Sequence, residues 1–211
     1  MVNPWNGCLF IRDWSTDRRP PRMNFFTLLP SMITGTDELF ELALAGKARN
    51  ILMINLVIVG LTFGLSNLYG SLLQTPDLPM HGSYALITPL MFWVFGIFTM
   101  LGVLLGFTLV YWAAARAFNG PGGLWLVMDL IGLSAVPFWF LAPLLNLALN
   151  FNQSDSVPLS LLIPLVIVFG WSFKLVRQSM VVGQGLSEGK ATLALGCMWI
   201  FSVSAVYVFL P

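Results

Sequence analysis

Apolar residues in this chain gather into long runs instead of alternating with polar ones, which points to helices with no solvent-facing stripe. Five such runs fall at roughly 50–73, 87–115, 125–149, 158–180 and 191–210. A hydrocarbon core about 30 Å thick takes about 20 residues of helix, so each run is long enough to cross one. The fold class read from this pattern is all-α: a polytopic membrane bundle of five transmembrane helices. An odd number of crossings places the termini on opposite sides. The second run is long enough to tilt, or to begin with an interfacial turn near Thr88 and Pro89.

The polar leader 1–49 has a different texture. It is irregular and rich in Arg and Pro as far as Arg22, and a short helix is predicted near 36–46. Thr36 stands where a cap belongs, with Asp37 and Glu38 in the first turn facing the helix dipole. Leu39, Phe40, Ala43 and Leu44 then form an apolar stripe, which suits a helix lying on the membrane surface or one packed under the bundle. The leader holds no apolar segment of signal-peptide type and its second residue is Val, so the first span is expected to direct insertion itself.

Composition strengthens the membrane reading. With 57% hydrophobic residues, 9% charged and a mean hydropathy of +0.84, the 211-residue chain lacks the polar surface that a soluble domain needs. The net charge of +1 says little, but the positions of the ten basic residues say more. Arg12, Arg18, Arg19, Arg22, Lys47 and Arg49 precede the first run, Arg116 ends the second, and Lys174, Arg177 and Lys190 flank the link between the fourth and fifth. The segments 74–84 and 150–157 contain no Lys or Arg. The positive-inside rule then predicts a cytoplasmic N-terminus and an outer C-terminus. Tyr111, Trp112 and Trp125 are expected at the cytoplasmic interface, Tyr69, Tyr84 and Tyr207 at the outer one, and Trp139 and Trp199 deeper as packing residues.

Candidate chemistry is sparse. Asp129 lies about one turn into the third run, and a charge there is a functional candidate by default. Its expected partners are Arg116 and Lys174, in an intramembrane ion pair that locks helices together; the sharper reading is a proton or substrate relay. No second acid lies deeper in any run, which favours the lock. Gly120, Gly122 and Gly123 predict a tight turn into the third run, and Pro137, Pro143 and Pro164 predict kinks or breaks. The pairs Gly60 with Gly64 and Gly102 with Gly106 stand four apart, the spacing at which helix backbones approach closely within or between chains. Asn55, Asn67 and Asn146 are candidates for hydrogen bonds across helices.

Cys8 and Cys197 are the only cysteines and His81 the only histidine, so no metal ligand set, disulfide framework or Ser-His-Asp triad is expected, and no cofactor. Asn152-Gln-Ser154 is a glycosylation sequon on the expected outer side. No basic surface of the kind that binds nucleic acid is read from the chain, while the arginines of the leader suit anionic lipid head groups.

Gly120-Pro-Gly-Gly123 after 116–119, then Asp129-Leu-Ile-Gly-Leu-Ser-Ala-Val-Pro137 and Leu-Ala-Pro143, and later Leu186-Ser-Glu-Gly-Lys-Ala191, together resemble the Yip family domain of Rab-GTPase-interacting membrane proteins. The likeness covers roughly residues 25–210, making 50–211 a Yip-like five-helix membrane domain. The Asp-Leu-Tyr-Gly-Pro motif of the Rab-engaging members does not occur in 1–50, so Rab binding is not carried over. The resemblance implies a non-enzymatic membrane protein of the family's prokaryotic branch, in a cytoplasmic (inner) membrane, with an ER or Golgi membrane as the alternative. The expected function is a scaffold, assembly factor or partner-binding subunit of a membrane complex, in contact with lipids and with another membrane protein or a second copy of itself. The competing expectation is a small transporter or channel subunit with a path near Asp129.

Overall fold

The structure is a computed structural model that describes residues 25–74, 78–151 and 159–209. The Asn152 sequon, Cys8 and the four arginines of 12–22 lie outside the described residues, as does the side chain of Tyr207. Among the described residues all regular structure is helical. The order is α1 (Phe25–Thr34), α2 (Asp37–Leu44), α3 (Arg49–Gln74), α4 (Tyr84–Ala117), α5 (Leu124–Leu133), α6 (Phe138–Phe151), α7 (Leu159–Gln184) and α8 (Glu188–Phe209).

Three helices, α3, α4 and α7, are long and apolar enough to cross a membrane, and the pair α5–α6 makes a fourth crossing if taken as one span. They correspond to the first, second, fourth and third apolar runs of the sequence, and α8 occupies the fifth. The third run is not one bent helix but two, meeting at 81° across residues 134–137. Pro137 explains the stop, because it has no N–H to continue the ladder and its ring clashes with the preceding turn. Pro143 and Pro164 lie inside α6 and α7, which run on through them.

One helix was not expected. α1 precedes α2, and Met32 on it is fully buried. The Trp171 indole donates to the Ile33 carbonyl at 2.8 Å, and the Phe25 ring stacks on Trp139 with centroids 6.3 Å apart. α2 forms where the amphipathic stripe placed it, and Leu39, Phe40 and Ala43 are buried against α5 and α7 under the bundle. Thr36 occupies the N-cap position, but its side chain makes no capping bond. Asp37 instead accepts a 2.7 Å bond from Gln178 Nε2, tying the helix start to α7. Gly46 ends α2 with φ +68, where Lys47 N–H returns to Leu42 O at 2.9 Å; this left-handed closure needs glycine in place of a branched residue.

Among the described residues three apolar clusters make the core, the smallest joining α3, α4 and α6 at Val59, Met100 and Ala142; the two larger ones meet at α5. One of these joins α4, α5, α7 and α8 around Tyr111, Val127, Met180 and Leu195; the other joins α1, α2, α3 and α5 around Met32, Phe40, Ile51 and Leu130. Both draw residues from α5, which touches α2, α3, α4 and α7. α5 is therefore the central element of one end of the bundle. The same end collects Arg49, Arg116, Arg177 and Lys190, because it is where α3 and α8 begin and α4 and α7 finish.

Candidate functional site

The turn 118–123 delivers α5 into the bundle. Asn119 adopts φ 67 after the end of α4, with Gly120 N–H bonded to Ala115 O at 2.8 Å and Asn119 N–H to Arg116 O at 3.0 Å. This pair of bonds is a Schellman closure with Asn in the left-handed position. The next residues press against Gln184, the last residue of α7, which is almost wholly buried. Gly122 N–H donates to Gln184 Oε1 at 3.0 Å, and a Cβ on Gly122 would overlap that side chain. A Cβ on Gly120 would meet Ala115 O at 2.9 Å and Gln184 Oε1 at 3.0 Å. Gly123 has open space around it, so close approach requires two of the three glycines and not the third.

Asp129 is buried on α5 and its partner is Arg49: Nε lies 3.1 Å from Oδ1. Neither Arg116 nor Lys174 makes this pair. Arg116 lies over the Trp112 ring, 5.9 Å from its centroid, and Lys174 is exposed on α7. The Arg49 guanidinium also sits over Trp125, 5.1 Å from the ring centroid. Trp125 and Asp129 are four apart on α5 and so share a face. The Asp129 side chain is 8% exposed and that of Arg49 43%, which makes the pair a contact between α3 and α5 with one exposed side. Oδ1 has no aligned hydrogen bond, so the contact is charge against charge.

α3 continues the same contact one and two turns further along. Leu52 fills the space where a Gly132 Cβ would stand, and Asn55 donates from Nδ2 to the Gly132 carbonyl at 2.7 Å. That carbonyl lies next to the break at 134–137, where the helix cannot supply all its usual donors. On the opposite side, Leu130 of α5 fills the notch left by Gly183 of α7. A helix of ten residues is thus fixed from two sides by one ion pair, one side-chain bond to its final turn and two glycine notches.

Of the two four-apart glycine pairs, Gly60 and Gly64 are packed and Gly102 and Gly106 are open. A Cβ on Gly60 would lie 2.6 Å from Ile97 Cα, and one on Gly64 2.5 Å from Phe92 O. Gly96 completes the crossing from α4, since a Cβ there would lie 2.9 Å from Gly64 Cα and overlap Gly60 O. The α3–α4 contact is therefore backbone against backbone.

Two further sets of polar groups pair across helices, while Trp112 Nε1, Trp139 Nε1 and Gln184 Nε2 are buried without a hydrogen-bond partner among the described residues. Asn146 Nδ2 donates to Ser66 Oγ at 3.0 Å and to Asn67 Oδ1 at 2.9 Å. Tyr111, expected at an interface, is fully buried, and its hydroxyl lies 2.6 Å from Ser179 Oγ. Trp199 is partly buried and packs against Phe169 and Phe173. Beside the α5–α6 break lies a cavity of about 60 Å³ lined by Leu56, Met100, Phe107, Ile131, Ala135 and other apolar residues. Its walls offer no polar group for a solute. Among the described residues no three His, Cys, Asp or Glu side chains converge on a point where a metal could sit.

The sequence signals for Arg49, Gly96, Gly132 and Gly183 were present but unranked. Arg49 is the basic residue nearest the start of the first run, and the three glycines lack four-apart glycine partners. Gln184 gave no signal beyond being polar at the end of an apolar run.

Comparison with family models, with curated proteins and with solved structures found no match for this chain.

Proposed function

We propose that this protein is a non-enzymatic membrane scaffold: an assembly factor or partner-binding subunit that presents one face of α4 to another membrane helix. The observation that carries this reading is the contrast between the glycine pairs. Gly60 and Gly64 are used up inside the chain, while Gly102 and Gly106 meet nothing among the described residues, on a helix that also exposes Phe95 and Phe98. Open glycines at helical spacing let a second helix approach to backbone contact. The Yip-like reading rests on the motifs at 116–143 and 186–191 and points the same way, toward work done through partners. Five crossings with a cytoplasmic N-terminus, in a prokaryotic inner membrane, belong to the same proposal; a reporter fused after Pro211 should be active only outside.

Purification from native membranes in mild detergent should bring a defined partner or a second copy with the wild-type chain, and Gly106→Leu should lose it while still folding. Recovery of monomer alone at native expression would remove the basis for this reading. The transporter alternative has less support, since Asp129 is already paired and the neighbouring cavity is apolar. Asp129→Asn in reconstituted vesicles separates the two: altered solute flux favours transport, and a change confined to stability favours the lock.

A further inference from the structure

Beyond Gly106, α4 and α8 meet on one side, where Tyr111 and Ala115 pack with Ala194, Leu195 and Met198, and leave an open groove on the other. That groove, about 390 Å³ and open along its outer side, is lined by Leu109, Val110, Ala113, Ala114, Cys197 and Met198. Its walls are apolar throughout. One end of it is not. Leu109, Ala113 and Arg116 lie four and three residues apart along α4, and Cys197, Leu193 and Lys190 lie four and three apart along α8, so each helix carries its cation on its groove-lining face. Both cations stand at the basic end of the bundle, about one to two turns beyond the lining residues, and both are exposed. Among the described residues neither forms an ion pair, as is also true of Lys47 and Lys174 away from the groove, whereas Arg49 is held by Asp129 and Arg177 by Glu188. Arg116 is further steadied over the Trp112 ring.

We propose that this groove binds one anionic phospholipid, with an acyl chain between α4 and α8 and the phosphate between Arg116 and Lys190. An apolar slot ending in two cations without carboxylate partners matches a ligand that has an alkyl chain at one end and a negative charge at the other. A zwitterionic head group fits less well, because it brings a cation of its own to the same place. A helix from a partner fits less well too, because the groove begins about one turn past Gly106 and ends in charge. The groove continues the α4 stripe that carries Gly102 and Gly106, one turn further along.

The test is native mass spectrometry of the full chain released from nanodiscs containing equal amounts of phosphatidylglycerol and phosphatidylcholine with identical acyl chains. The wild-type chain should retain phosphatidylglycerol in preference. Arg116→Gln and Lys190→Gln should each lower that preference about fivefold, and the double variant about 30-fold. Lys47→Gln removes the same charge at the same end but away from the groove, and should change nothing. Ala113→Phe fills the groove with both cations in place and should lower phosphatidylglycerol retention without changing the melting temperature. The proposal is overturned by equal retention of the two lipids on the wild-type chain, by an effect of Lys47→Gln as large as that of Arg116→Gln, or by full retention in Ala113→Phe.

Discussion

Helices α4 and α5 follow one another along the chain and are both built almost wholly from apolar residues, yet they meet opposite surroundings. α4 has 34 residues, of which five are buried, and side chains such as Phe98, at 67% exposure, point away from the protein. α5 has ten residues, and all seven from Val127 to Leu133 are buried. A helix apolar on every side either faces lipid or fills a core, and composition does not distinguish the two cases. What separates them here is attachment. α5 carries Asp129 for Arg49, a final-turn carbonyl for Asn55 and a notch for Leu52, so three contacts from α3 fix its position. α4 is held by the Gly96 crossing with α3 and, at its far end, by Tyr111 and Ala115 in the core, while Phe98, Val103 and Leu105 between them are exposed.

Substitutions that attack each attachment should break this contrast in graded steps. The largest effect is expected from Gly96→Val, because the added atoms meet the backbone of Gly60 and Gly64, which cannot move aside like a side chain. A loss of about 3 kcal/mol or more is predicted, read as a lower midpoint in thermal unfolding in detergent. Arg49→Met comes next. It leaves Asp129 buried without its cation, and the half-exposed site reduces the cost below that of a fully dry pair, to about 2 kcal/mol. Asp129→Asn should be milder than Arg49→Met, since it removes the stranded charge along with the pair; the order of the two melting temperatures checks this. Asn55→Leu leaves the Gly132 carbonyl without its side-chain donor, at a cost of about 1–2 kcal/mol, and should speed amide exchange at 134–139. Gly102→Leu and Gly106→Leu should stay within about 0.5 kcal/mol of the parent protein, and any effect they have should be on association.

The graded series also marks what could be read from the chain beforehand. Helix extents were legible because hydrocarbon thickness sets the length of an apolar run: α3 at Arg49–Gln74 and α7 at Leu159–Gln184 fall within a few residues of 50–73 and 158–180. The stop at Pro137 was legible from proline chemistry, but the 81° angle was not, since it depends on what α6 packs against. The charge lock was half legible. Depth pointed to Arg116 and Lys174 as partners of Asp129 and missed Arg49, because depth does not give helix phase, and phase selects Arg49. Tyr111 shows the same limit: its position suited an interface, yet it faces inward to Ser179. The glycine spacing identified two pairs without saying which was occupied, because the answer lies with Gly96 on another helix. α1 escaped notice because Pro30 interrupts a short segment with no charged residue to set its polar face.

The contrast between α4 and α5 is tested most directly in the unmodified protein, by photolabelling in liposomes with a lipophilic diazirine followed by peptide mapping. Dense labelling along α4 beyond Gly96, at Phe98, Val103 and Leu105, is predicted, with α5 from Val127 to Leu133 left unlabelled. Labelling of α5 as strong as that of α4 would contradict the account, because the helix placed at the centre of the bundle would then be facing lipid.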